Sequence, residues 1–146
     1  MQICCNKLYN YNMTDLASFL KNHHVRLTNP RKAVFNALKQ HKGYMLISDI
    51  IKACPEIDRV SIYRTLELFS SIGVVQILHI GFKKGYELAE PFKEHHHHIH
   101  CKICHKLTSI HSDQLEKTIQ SIAKNHEYEL SSHHIELWGI CKLCNS

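Results

Sequence analysis

Two Cys-x-x-Cys pairs, Cys101/Cys104 and Cys141/Cys144, constrain this chain more than any other feature. Each pair presents two thiolates from one tight turn. Together they supply the four sulfur donors of a closed tetrahedral zinc site, which stabilises a fold and leaves no coordination position for catalysis. The separation between the pairs exceeds that of an ordinary zinc ribbon. The residues between them must therefore form a small domain that the metal staples shut. A redox dithiol is the other reading of such a motif, but that chemistry needs a thiolate activated beside a helix N-terminus. These pairs flank β-like segments instead.

Cysteine usage agrees with a metal. There are 7 cysteines, an odd number that suits ligation in a reducing compartment better than a disulfide framework. Met1 to Lys7 has no apolar signal region, and no apolar run reaches membrane-spanning length. A cytoplasmic protein without membrane association is expected. With 146 residues and 44% hydrophobic content, the chain can build one ordinary domain or two small ones. Its formal charge of +5 is compatible with nucleic acid without establishing it. Lys and Arg prevail up to Lys84, whereas most histidines lie beyond it. Ala89 to Glu94, interrupted by Pro91, reads as the junction. The expected division is a loose extension over 1–13, a DNA-binding domain over 14–89, a hinge over 90–94 and a metal-binding domain over 95–146. Cys4 and Cys5 would then have no structural role.

The basic half reads as helices followed by a ribbon. Leu16, Phe19 and Leu20 mark a short amphipathic helix with Thr14 as its N-cap. A second starts at Thr28 with Pro30 in its first turn, and Val34, Ala37 and Leu38 repeat at helical spacing. A third spans about Ser48 to Ala53, ahead of Pro55. The fourth, Asp58 to Gly73, sets Ile62, Leu66 and Phe69 on one face and Arg59, Ser61, Tyr63 and Arg64 on the other. An apolar stripe backed by Arg, Tyr and Ser near the helix start suits a major groove. An ordinary solvated face is the bland reading of that pattern. The β-branched run Val74 to Ile80, a turn over Gly81 to Gly85, and Tyr86 to Leu88 favour the groove. Helices followed by a two-stranded ribbon make a winged helix-turn-helix, whose basic turn at Lys83 and Lys84 would meet phosphates.

In the second half the stretch "EHHHHIHCKIC", Glu94 to Cys104, holds five histidines. It is internal and leads into a cysteine pair, so it is no purification tag. In an extended chain His95 and His97 point one way and His96, His98 and His100 the other. One strand can thus serve two metal sites. Mixed imidazole and carboxylate ligands exchange more readily than four thiolates. Next come a strand over Lys106 to Ile110 and a helix over Ser112 to Asn125, with Leu115, Ile119, Ile122 and Ala123 inward. An extended run from Tyr128 to Cys141 follows, placing His133, Ile135 and Leu137 on one side and His134, Glu136 and Trp138 on the other. The fold class is α+β. A zinc hydrolase would need an open coordination position, and no H-E-x-x-H motif is present.

These landmarks resemble the ferric uptake regulator family, which includes zinc-, iron-, manganese- and peroxide-responsive bacterial repressors. The resemblance covers about residues 14 to 145. It is carried by Arg26 to Thr28 with Pro30 and Arg31, Ser61 to Arg64, Tyr86 to Leu88, the histidine run with Cys101 and Cys104, His133, and Cys141 with Cys144. It implies a winged helix followed by a small α/β dimerisation domain stapled by zinc on the four cysteines. It implies a regulatory site for zinc, iron or manganese at Glu87, His96 and His98. A second site at His95, His97, Glu116 and His133 is also implied. DNA contacts would come from Tyr63 and Arg64, with Arg31, Arg59, Ser61, Lys83 and Lys84 as further candidates. Departures are visible. Tyr44 or Met45 stands where iron regulators carry a histidine, His97 replaces a common aspartate, and Ala89 replaces a cysteine of some zinc regulators. His79 is the candidate replacement ligand. The expected function is metal-dependent repression by a homodimer on a pseudo-palindromic operator. A peroxide-responsive regulator of the same family, or a metal buffer without DNA binding, is the alternative.

Overall fold

The computed structural model describes residues 13–131 and 133–145. The expected N-terminal extension, with Cys4 and Cys5, lies outside them except for Met13. The chain divides into two compact units, Met1–Glu94 and His95–Ser146.

In the first unit, α1 (Met13–Asn22), α2 (Asn29–Gln40), α3 (Ile47–Ala53) and α4 (Arg59–Ser71) pack with a small sheet. Helix α1 already runs at Met13, so Thr14 lies inside it and not at its cap. Thr28 occupies the N-cap of α2 in an extended conformation, but its side chain makes no capping bond. Asp58 does cap α4. Its carboxylate accepts the Ser61 N–H at 2.9 Å, satisfying one of the donors a helix start leaves open. The Ser61 side chain first, and this N–H second, hold the Asp58 carboxyl below its ordinary range. Ile62, Thr65, Leu66 and Phe69 are buried along α4, and Val34, Phe35 and Leu38 along α2. The i, i+3, i+4 stripe read from the sequence is the packed one.

The wing is β2 (Val75–Ile80) against β3 (Lys83–Leu88). Its turn is tighter than the expected Gly81–Gly85. Gly81, at φ +59, and Phe82 suffice, and Lys83 and Lys84 open the returning strand. The sequence reading missed β1 (Met45–Leu46), which pairs with Tyr86 and Gly85 on the other edge of β3. The sheet order is therefore β1-β3-β2. Gly85 is required there, because a Cβ would lie 2.8 Å from the Tyr44 ring. The segment 90–94, read as a hinge, contributes to this unit's core. Phe92 is buried edge-on against Phe19 and Phe35 at 5.0 and 5.2 Å between centroids.

The second unit is a three-stranded sheet of order β5-β4-β6, with β4 His97–Cys101, β5 Leu107–Ile110 and β6 Glu136–Gly139. Strand β5 runs antiparallel to β4. Strand β6 runs parallel to it, and the crossover is α5 (Asp113–Asn125). Among the described residues of the extended run over 128–141, four are strand, Glu136–Gly139. Strand β4 has five residues, and its parallel register with β6 begins at Glu136. Just upstream, only the Ile135 carbonyl, which accepts the His98 N–H at 3.5 Å, extends the contact among the described residues. Leu115, Ile119 and Ala123 of α5 are half-buried, whereas Ile122, expected inward, is 55% exposed.

Candidate metal centre

Parallel pairing explains how two cysteine pairs far apart in sequence meet. Strands β4 and β6 lie side by side and point the same way. Each continues into a Cys-x-x-Cys turn, so both turns leave the same end of the sheet. The first is closed by His105 N–H donating to the Cys101 carbonyl at 3.0 Å, and the second by Cys144 N–H donating to the Cys141 carbonyl at 2.9 Å. His105 takes φ +58 in closing its turn. Sγ atoms of all four cysteines lie within 4.8 Å of one another, and those of Cys104 and Cys141 are 3.7 Å apart. A tetrahedron with Zn–S of about 2.3 Å has an S···S edge of about 3.8 Å. The donor set fits zinc.

The protons on these thiols tell the same story. Amide N–H groups of Cys141, Cys104 and Ile103 point at Cys101 and hold its thiol down at about 6. The Cys141 N–H reaches the Cys101 sulfur at 3.4 Å. Cys144, whose thiol hydrogen-bonds to the sulfurs of Cys141 and Cys104, is pushed up to about 12. The backbone thus prepares one thiolate, Cys101, for a cation.

A second cluster gathers His95, His97, Glu116 and His133, with one donor atom of each within 4.8 Å of the others. His97 opens β4 and His95 lies two residues ahead of it, and their rings meet edge-on at 4.7 Å. Glu116 comes from the first turn of α5, fixed by Ser112, whose hydroxyl accepts the Leu115 N–H at 3.3 Å. His133 comes from the segment ahead of β6. Nε2 of His97 lies 2.7 Å from Glu116 Oε1, and Nε2 of His133 lies 3.1 Å from Oε2. The Nε2 atoms of His95 and His133 are 2.9 Å apart. Donor edges of about 3.3 Å are expected around a dication with metal–nitrogen distances of about 2.0–2.1 Å; these three spacings are shorter, and that from His95 Nε2 to Glu116 Oε1, 3.5 Å, is slightly longer. Burial pulls His97 below the ordinary imidazole range, against its bond to Glu116. Neutral imidazole is the ligating form. Burial alone would raise Glu116, yet His97, His95 and His133 together hold it low and ionised.

On the opposite face of β4, His96 and His98 are buried, with ring centroids 4.7 Å apart. The register His97↔Ile110 sets His111, just past β5, across from His96. Their centroids are 5.6 Å apart. His111 was not singled out from the sequence, although its place one step beyond a paired strand was the available signal. In the first unit, Glu87 is buried on β3 and accepts from Gln76 Nε2 at 3.1 Å and from Lys93 Nζ. His79 is not brought to it. It faces solvent, paired with Lys84, three residues from the Gln76 that pairs with Glu87. An odd offset along a strand puts the two on opposite faces, which corrects the expectation of His79 as a ligand beside Glu87.

The candidate DNA-contacting side chains are also placed. Arg59, Tyr63 and Arg64 are exposed on α4, Lys83 and Lys84 are exposed at the start of β3, and Ser61 is half-buried. Arg31 is half-buried and donates to the Arg26 carbonyl, so part of its work is to tie α2 to the preceding loop.

A sequence profile of the ferric uptake regulator family matches residues 22–138. The ferric uptake regulation protein of Campylobacter jejuni is 31% identical over 118 residues, 79% of this chain and 74% of that protein. The peroxide-responsive repressor PerR of Staphylococcus saprophyticus is 28% identical over 139 residues, 92% of each chain. Among solved structures, the Vibrio cholerae ferric uptake regulator superposes with a TM-score of 0.65 at 25% identity, covering 87% of this chain and 100% of that one. With its winged helix, its four-cysteine cluster and its imidazole–carboxylate cluster, this chain belongs to the ferric uptake regulator family.

Proposed function

We infer that the protein is a metal-dependent, DNA-binding transcriptional repressor that acts as a homodimer on genes of metal uptake or homeostasis. The carrying observation is the coexistence in one chain of two features. One is a capped helix with Arg59, Tyr63 and Arg64 exposed; the other is a set of imidazole clusters on both faces of β4. A metal buffer needs the second and has no use for the first.

Structural zinc belongs to Cys101, Cys104, Cys141 and Cys144. The regulatory cation is assigned to His96 and His98, and the second exchangeable one to His95, His97, Glu116 and His133. When bound, a divalent zinc, iron or manganese ion supplies positive charge that neutral imidazoles and carboxylates can share. The chain's own part is to bring those donors together from separate segments and, at His97, to favour the unprotonated ligating form by burial. Occupancy biases the winged helices toward one arrangement to the extent that affinity differs between arrangements. Homodimerisation is supported by apolar side chains left in solvent on the second unit, among them Trp138 at 49% and Leu143 at 83% exposed. A two-fold dimer calls for a pseudo-palindromic operator. No helix among the described residues is long and apolar enough to cross a membrane, and unpaired thiols suit the cytoplasm.

Arg64→Ala is expected to weaken DNA binding and to lower the slope of log affinity against log salt by about 1 per lost phosphate contact. Tyr63→Ala should relax sequence preference by about 1–3 kcal/mol at a base pair. The measurement is fluorescence-anisotropy titration of metal-loaded protein against operator and scrambled duplexes at several salt concentrations. Wild-type affinity, slope and preference in both variants would remove α4 as the reader.

A further inference from the structure

We propose that His100, Glu136 and His134 form a fourth divalent-cation site. It is separate from the four-thiolate cluster, from the His95 cluster and from the His96–His98 pair. The parallel register sets Glu136 across from His98 and Trp138 across from His100, so the Glu136 carboxylate is the diagonal neighbour of His100 on one sheet face. That carboxylate lies between two imidazoles. Its Oε2 is 3.8 Å from His100 Nε2 and its Oε1 is 3.2 Å from His134 Nε2.

His100 presents a buried, unpartnered nitrogen to this carboxylate. It is only 3% exposed, and its ring stacks on Trp138 at 4.2 Å and 13°, which fixes the ring plane. Its Nε2 has no hydrogen-bond partner among the described residues. The carboxylate at 3.8 Å is beyond hydrogen-bond range. A polar atom buried in this way is costly and calls for an explanation, and an ion is one. A separation of 3.8 Å is somewhat wider than the edge of about 3.3 Å between two donors on one zinc-like cation, so a small inward shift brings both onto it. His134 is the adjustable member, since its side chain is 56% exposed and can swing toward His100. Two imidazoles and a carboxylate with positions left for water suit a borderline dication such as zinc or cobalt(II). With three donors, one of them mobile, this site fills after the four-thiolate cluster.

Trp138, the chain's single tryptophan, is a built-in reporter, because a paramagnetic ion on His100 Nε2 lies next to its stacked ring. The experiment titrates the full-length protein, with zinc retained on the cysteines, with cobalt(II) while following tryptophan emission and bound cobalt. Wild-type protein should show a saturable quenching phase together with one cobalt per chain beyond those of the other sites. Glu136→Gln and His134→Ala should each raise the half-quenching concentration at least tenfold and lose that equivalent. His134 is on the surface, so its replacement tests the site without endangering the fold. In a His96→Ala/His98→Ala background the quenching should persist. Its loss there would place the quencher at His98 and overturn the proposal. So would half-quenching within threefold of wild type in both Glu136→Gln and His134→Ala, which would leave His100 as a stacking residue and no more.

Discussion

Cys141→Ser is expected to remove one zinc per chain and to unfold residues 95–146, while the first unit keeps its structure. The four sulfurs converge at the ends of two short parallel strands. The sheet they close has four or five residues per strand, and its helix carries no buried side chain. So little packing cannot hold this unit alone. Structural zinc contributes about 10–16 kcal/mol of apparent binding energy at neutral pH, as much as the whole stability of an ordinary domain. The first unit has its own core, from Leu16 through Phe92, and is not asked to depend on the metal. Elemental analysis should find one zinc fewer, and amide hydrogen exchange should lose protection in β4, β5 and β6 but not in α2 or α4. A variant with full zinc content and the wild-type melting curve would rule out the four-thiolate site.

The second large effect separates the two faces of β4. His96→Ala with His98→Ala should leave a folded, zinc-stapled dimer whose DNA affinity no longer rises with metal. Couplings of this kind are typically 1–3 kcal/mol, about 5- to 150-fold in affinity; the double variant should fall to within about twofold of no response. His95→Ala with His97→Ala should lose the metal of the other cluster and keep most of the response. The argument is the period of two in a strand, which sends neighbours to opposite sides. In the structure His95 sits with His97 and His133, and His96 with His98. Metal-titrated DNA binding, with metal stoichiometry for each variant, decides it. Identical behaviour of the two pairs would mean a single shared site.

Much of this was legible because it rests on period and spacing. The α4 stripe needs only a turn of 3.6 residues, and Ile62, Leu66 and Phe69 are where it puts them. The alternation of the histidine run likewise needs no knowledge of partners. What depends on a partner strand was not legible. Strand β1 has two residues and exists only because β3 offers an edge to Met45 and Leu46. The parallel course of β6 is a matter of topology, and it alone explains why Cys101 and Cys141 meet. His79 failed for the same reason, since its face is set by its register with Lys84. His100 and Glu136 were each assigned a face from the sequence, but only the β4–β6 register makes them neighbours.

The most direct test of a metal-dependent repressor is operator binding by the full-length protein as metal is added, starting from protein that holds only the zinc on its cysteines. Tight binding should appear as the exchangeable sites fill and should vanish on selective chelation, with the cysteine zinc still in place. Operator affinity that stayed the same across that titration would contradict the account.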